Sequence, residues 1–195
     1  MVKHPKIARA LERNLNGLKD CILKRRTYNK FLSLRSAHSL DFFRVAMRAL
    51  YNDLFADVHR VFDMNKDAAS FWYIKRIASK EMEKAAQEAG IDLSELEAIA
   101  GKTTHLRDRI HFHIDKRDVL KPSRVWADAE LSGNEVIKLT EGAFEVLRRM
   151  NLALTGTDSK VPEYHGEDIE KILKAYKRAF PDAPLIIHSY DPSDA

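Results

Sequence analysis

Apolar residues recur along most of the chain at spacings of three and four, the period of a helix with one buried face. Ile7, Leu11, Leu15, Leu18 and Ile22 form the first such stripe, on a segment whose opposite side is basic. Its continuation, KRRTYNKFLSLR, is expected to bend or end before Ser36, and Ser39 suits the N-cap of a second helix. There Leu40, Phe43, Met47, Leu50, Leu54, Val58 and Phe62 make a ridge that no Pro or Gly interrupts. Phe42, Val45, Ala49 and Phe55 widen it. So broad an apolar arc predicts a central helix over 40–62, contacted from more than one side.

Asp67 stands where it can cap a third helix, with Phe71, Ile74, Ala78, Met82, Ala85 and Ala89 facing inward and Gly90 as its stop. "DLSELE" restarts a helix at Asp92 that is expected to reach residue 114, with Leu93, Leu96, Ile99, Leu106, Ile110 and His113 on one side. Residues 116–133 lose the period and contain Pro122, which reads as a long ordered loop. A fifth helix begins near Asn134, with Val136, Leu139, Ala143, Leu147, Met150 and Leu154 inward and Gly156 as its stop. A shorter sixth covers Glu167 to Phe180 and ends at Pro181. The tail APLIIHSYDPSDA has one apolar patch, Leu185 to Ile187, in an otherwise loosely held composition. With no internal repeat and no paired strands, the pattern predicts an all-α antiparallel bundle of about five to six helices. It forms one domain over 1–180, with 181–195 as a tail.

Composition changes this picture little. A chain of 195 residues, 45% hydrophobic with seven glycines, is large enough for a core and rich in helix formers. Cys21 is the only cysteine, which excludes a disulfide or a thiolate metal cage and suggests a reducing, cytoplasmic setting. The opening MVKHPKIARALERN is too charged for a secretory signal, and no apolar run approaches the roughly 20 residues of a membrane span, so no membrane partner is expected. Charge matters more. Residues 1–35 carry ten Lys or Arg against Glu12 and Asp20, although the whole chain is only +4. Lys24, Arg25, Arg26, Lys30 and Arg35 cluster beside Tyr28 and Phe31, which suits either a polyanion footprint or a solvated helix face.

Two short motifs suggest chemistry and fail. "GKT" at Gly101–Thr103 lacks the glycine that a phosphate loop needs five residues earlier, where Leu96 stands, and its segment is helical. "HFHID" would gather His111, His113 and Asp115 around a metal only on a strand. On a helix, residues two apart diverge by about 200°. The surrounding period is helical, so no metal site is expected.

What survives is the crowded stretch HLRDRIHFHIDK, residues 105–116. His113 falls three after Ile110 and seven after Leu106, on the inward or interface-facing ridge. Arg107, His111 and Asp115 lie nearer the other side. The plain alternatives are a satisfied core histidine at His113 and a surface ion pair at Arg107 with Asp108 or Glu97. An Arg–His spacing alone arises by chance, and its neighbours give it content. "LRDRIHFHIDK" resembles the signature of the HEPN superfamily, whose Arg-x(4–6)-His motif often has Asn or Asp after the arginine. Here that pair is Arg107–Asp108, and His113 ends the motif. The trailing "HIDK" is similar to the His-x-Asp-Lys ending of the abortive-infection (AbiU-like) branch. The likeness extends to the helical layout over roughly 5–155. The sequence departs from the pattern at Phe112, where a small residue commonly precedes the histidine, and at Asp115, where some relatives present a tyrosine for adenylylation.

The resemblance implies a helical homodimer in which the motifs of two subunits line one cleft, and metal-independent cleavage of single-stranded RNA without a cofactor. It also implies a toxin or phage-defence setting, with an antitoxin or defence-system protein as partner. The residue types suit that chemistry. Histidine exchanges a proton near neutral pH, and arginine stays charged and grips two phosphoryl oxygens at once. His113 is thus the expected acid–base group, Arg107 the phosphate clamp and Asp108 its orienting partner. Lys116, Lys24, Arg25 and Arg26 are the expected RNA-binding cations. The rival is a non-catalytic helical module that binds a nucleotide, RNA or a protein.

Overall fold

The computed structural model describes residues 5–34, 41–106, 127–164 and 166–181. Seven helices are bounded in these stretches, α1 (Pro5–Ser33), α2 (Asp41–Val61), α3 (Phe71–Ile77), α4 (Ser79–Ala89), α5 (Leu93–Leu106), α6 (Gly133–Thr155) and α7 (Glu167–Ala179), and residues 127–129 are helical as well. There is no strand among the described residues. The all-α expectation is met, with more helices than the pattern suggested. One extra helix arises because 71–89 is two helices, and residues 127–129, inside the stretch expected to be a loop, are helical too. Ala78 leaves the helical region (φ −139°, ψ 47°) and closes α3 with its N–H on the Ile74 carbonyl. The inward stripe runs through the break unchanged, so Phe71, Ile74, Ala78, Met82 and Ala85 are all buried.

Local chemistry explains several helix ends. Gly90 and Gly156 close α4 and α6 in the left-handed conformation (φ 68° and 72°), which glycine adopts without a Cβ clash. The Asp92 carboxylate accepts the Ser94 N–H at 2.8 Å and starts α5. Asp67 does not cap α3. It lies in a turn where Asn65 accepts its N–H at 3.0 Å, and the N-cap of α3 is Ser70. At α6, Ser132 and Glu135 form a reciprocal capping box.

The chain divides into two compact units. The larger comprises Met1–Ile22 and Phe55–Val161. Leu11, Leu18, Ile22, Phe62, Phe71, Ile74, Met82, Leu96, Leu106, Leu139 and Leu147 are wholly buried there. Phe71 sits against Phe62 and Trp72, with ring centroids 5.6 and 5.0 Å away, and Trp72 Nε1 donates to the Phe62 carbonyl at 3.1 Å. Asn14 spends its buried amide on the carbonyls of Ala10 and Ala69, both at 2.8 Å, which ties α1 to the turn before α3. At Gly17 a Cβ would come within 2.9 Å of Val61, so glycine permits the close approach of α1 to the end of α2. α6 packs on α4 and α5.

The smaller unit comprises Leu23–Leu54 and Pro162–Ala195. Its core is Phe31, Phe43, Met47, Ile169 and Leu173, with Tyr28, Leu34, Leu50 and Tyr164 packed around it. The expected ridge of α2 is buried at Phe43, Met47, Leu54 and Val58. The widening residues divide: Phe55 is buried, whereas Phe42 and Val45 are 76% and 69% exposed and Ala49 is exposed beside them. Among the described residues, nothing covers this second side over residues 42–49.

Candidate functional site

α5 carries the chain to the threshold of the titratable stretch. Leu96, Ile99, Ala100, Thr103 and Leu106 form its buried face, and Leu106, the last helical residue described, is wholly buried. Gly142 of α6 lets the two helices close, since a Cβ there would stand 3.3 Å from Leu96. On the outer side Lys102 reaches across to α6. Its ammonium meets the Glu135 carboxylate at 2.7 Å and the Glu130 carbonyl at 2.9 Å. Glu135 also accepts the Ser132 N–H at 2.7 Å and the Ser132 hydroxyl at 2.9 Å. The Lys102 and Ser132 hydrogen bonds hold its pKa down to about 2, against an ordinary 4.5. "GKT" is thus a helical segment whose lysine is anchored to a carboxylate, and Thr103 bonds back to the Ala100 carbonyl at 2.8 Å. It is no phosphate loop. Nothing in local periodicity announced the Lys102–Glu135 pair, which joins residues 33 apart.

His105 lies one turn after Gly101, half-buried, with its Nε2 enclosed and without a hydrogen-bond partner among the described residues. The pattern counted this histidine but gave it no part. Arg107, Asp108, His111, His113, Asp115 and Lys116 follow directly and lie outside the described residues. The expected extension of α5 to residue 114 and the loop over 116–126 lie there too, as do Arg35 and the 182–195 tail. Among the described residues, no group of His, Cys, Asp and Glu is gathered as a metal would require. No described helix is long and apolar enough to cross a membrane.

Lys24, Arg25, Arg26 and Lys30 of α1 are described, and each is engaged. Lys24 pairs with Asp53 of α2. Arg26 donates to the Pro162 carbonyl at 3.4 Å, and Arg25 also has an interaction partner. Lys30 pairs with Glu170 of α7 and lowers that carboxyl below its ordinary value. Gly166, at φ 68°, leaves room for the Lys30 stem, which a Cβ would strike. Tyr164 lies in the same unit. Burial first, and then the nearby Asp168 charge, raise its pKa. By contrast, Lys171, Lys174, Lys177 and Arg178 on the outer side of α7 are exposed.

The chain matches the model of the HEPN_AbiU2 family, AbiU2, over residues 6–175. No curated protein and no solved structure matches it. A match that runs from the first turn of α1 into α7 and takes in the whole Arg107–His113 segment identifies the chain as a member of the AbiU2 family, an abortive-infection module of the HEPN type.

Proposed function

We propose that the protein is a metal-independent endoribonuclease of the toxin or phage-defence type, which cleaves single-stranded RNA as a homodimer. The observation that carries this reading is the family match across Arg107–His113, because those residues are of the type and spacing that the chemistry needs. In the reaction a ribose 2′-hydroxyl loses its proton and attacks the adjacent phosphorus. The new O2′–P bond replaces the P–O5′ bond, leaving a 2′,3′-cyclic phosphate and a 5′-hydroxyl end. His113 exchanges the proton, and Arg107 grips the phosphoryl oxygens as negative charge builds on them. Asp108 orients Arg107.

Arg107 and His113, six residues apart, point about 120° from each other on a regular helix. The site therefore needs either an unwound turn near His113 or a second subunit to complete it. Lys116, Lys24, Arg25 and Arg26 are the proposed RNA-binding cations, and Lys24 would exchange the Asp53 carboxylate for a phosphate. The buried Leu106 and the Lys102–Glu135 pair support the reading in one further way. They fix the last described turn of α5, so the residue before Arg107 has a rigid base.

The test is cleavage of a single-stranded RNA by purified protein in excess chelator. Arg107→Ala is expected to lose about 10² to 10³-fold in rate, the cost of removing one transition-state donor. RNA binding without cleavage by the wild-type chain would replace the enzyme with a non-catalytic RNA-binding module. An antitoxin or defence-system protein remains the proposed partner, and its capture would be read by release from inhibition.

A further inference from the structure

The outer ridge of α2 is an apolar surface that the described residues leave bare. Phe42 and Val45 are 76% and 69% exposed, and Ala49 continues the line. Their spacing of three and then four residues is that of a helix–helix seam. Isolated exposed apolar residues are ordinary, but a ridge that begins with a bare phenylalanine is not. We propose that a second copy of this chain covers it, the two α2 helices lying antiparallel about a two-fold axis near Val45. This deepens the homodimer proposed above by naming the surface that forms it, and it stands whether or not the chain cleaves RNA.

Three observations select a second copy as the occupant. First, size alternates along the ridge. Phe42 is large, whereas Ala46 and Ala49, one and two turns later, are small. An antiparallel pair sets residue 42 opposite residues 45–49, so each phenylalanine enters the gap over the partner's Ala46 and the partner's Ala49, bounded by the partner's Val45. Second, charge alternates in the same register. Asp41 and Arg48, seven residues apart, lie on one flank of the seam. A two-fold antiparallel pair brings each flank against itself in reverse order, so Asp41 faces the partner's Arg48 and Arg48 the partner's Asp41. Third, Arg48 is exposed and has no acidic partner among the described residues, and the Asp41 carboxylate is 88% exposed although Arg44 bonds it at 2.5 Å. One axis therefore satisfies shape and charge together, which a ridge suited to an unrelated partner has no reason to do.

Charge exchange tests this directly. Association of the full chain is followed by sedimentation equilibrium for wild type, Asp41→Arg, Arg48→Asp and the double variant. Both side chains are exposed, so the fold should persist, and far-UV circular dichroism melts check that it does. Each single variant places two like-charge pairs in the seam and should raise the dimer dissociation constant roughly tenfold or more. The double variant restores both pairs and should return to within about threefold of wild type. Phe42→Ala should weaken association on the order of 30-fold or more, as loss of a central aromatic anchor does. A monomeric wild type, single variants that associate like wild type, or a double variant no better than the singles would each overturn the pairing. So would a wild type that stays monomeric and binds lipid vesicles through Phe42. A dimer that obeys the charge exchange but leaves RNA intact removes the ribonuclease and keeps the seam. Full cleavage by a monomeric variant does the reverse for the dimer cleft.

Discussion

The larger unit buries Phe62, Phe71, Met82, Leu96, Leu106, Leu139 and Leu147 completely, while the smaller relies on Phe31, Phe43, Met47, Ile169 and Leu173 at a few per cent exposure. The larger unit also closes its polar ends well. Its buried Asn14 is bonded twice, α6 has a full capping box, and α4 and α6 stop on left-handed glycines. The smaller unit fills out a thin core with ion pairs, Lys24 to Asp53 and Lys30 to Glu170, and leaves Phe42, Val45, Ile172 and Phe180 exposed. Surface ion pairs contribute little, at most about 1 kcal/mol each, so they do not substitute for buried area. The contrast separates two tasks. The larger unit gives the motif a stiff base on α5, and the smaller carries uncovered surface, the usual mark of a place where something else binds.

Core deletions should show the contrast at its largest. Phe71→Ala removes a wholly buried ring from between Phe62 and Trp72 and should cost about 3–5 kcal/mol in urea unfolding. Leu173→Ala in the thinner core should cost about 2–3 kcal/mol. Its effect on amide exchange should stay within Leu23–Leu54 and Pro162 onward. Mid-helix amides of Glu167–Ala179 should already exchange roughly tenfold or more faster than those of Gly133–Thr155 in the wild type. Equal protection in the two helices would erase the distinction.

Glu135 gives an intermediate effect with a pH signature. Its pKa is about 2 in the fold against 4.5 ordinarily, so the carboxylate form is the one stabilised. That contribution is complete above pH 4.5 and is lost as pH falls from there through 2. Glu135→Ala should cost about 1–2 kcal/mol at neutral pH, because Lys102 and the Ser132 cap lose their acceptor together. The gap between variant and wild type should narrow in acid. A gap that stays constant from pH 6 to 2 would remove the carboxylate from the account.

The smallest effect on stability belongs to Lys24. Lys24→Gln should cost under about 1 kcal/mol, since the Asp53 carboxylate stays 61% exposed. The same residue sharpens the RNA reading. Reversing Lys24, Arg25 and Arg26 together should flatten the dependence of log RNA affinity on log salt by about 2 if all three displace counterions on a single strand. An unchanged slope would leave those side chains in their structural bonds alone.

What the sequence disclosed follows the range of the interactions. Gly90, Gly156 and Asp92 mark helix ends correctly because capping acts within a few residues. Ser132 with Glu135 three places on was equally local, and a start near Asn134 missed a signal that was there. The break at Ala78 had no such signal, since neither Gly nor Pro stands there and the apolar stripe continues through it. Periodicity identified Phe42 and Val45 as apolar but could not say what covers them. Nor could charge density show that Lys30 is held by Glu170, which lies 140 residues away. In the candidate site, Arg107 and His113 were legible only as a resemblance of residue types, and the family match over 6–175 carries that resemblance further.

The central claim is metal-independent RNA cleavage by His113, and the most direct measurement is the cleavage rate of single-stranded RNA in excess chelator for wild type, His113→Ala and His111→Ala. Wild type and His111→Ala should cleave and leave 2′,3′-cyclic phosphate ends, while His113→Ala should fall on the order of 10² to 10⁴-fold. Loss only in His111→Ala would transfer the role to that histidine. Equal rates in His113→Ala and wild type, or activity that disappears with chelator, would contradict the account.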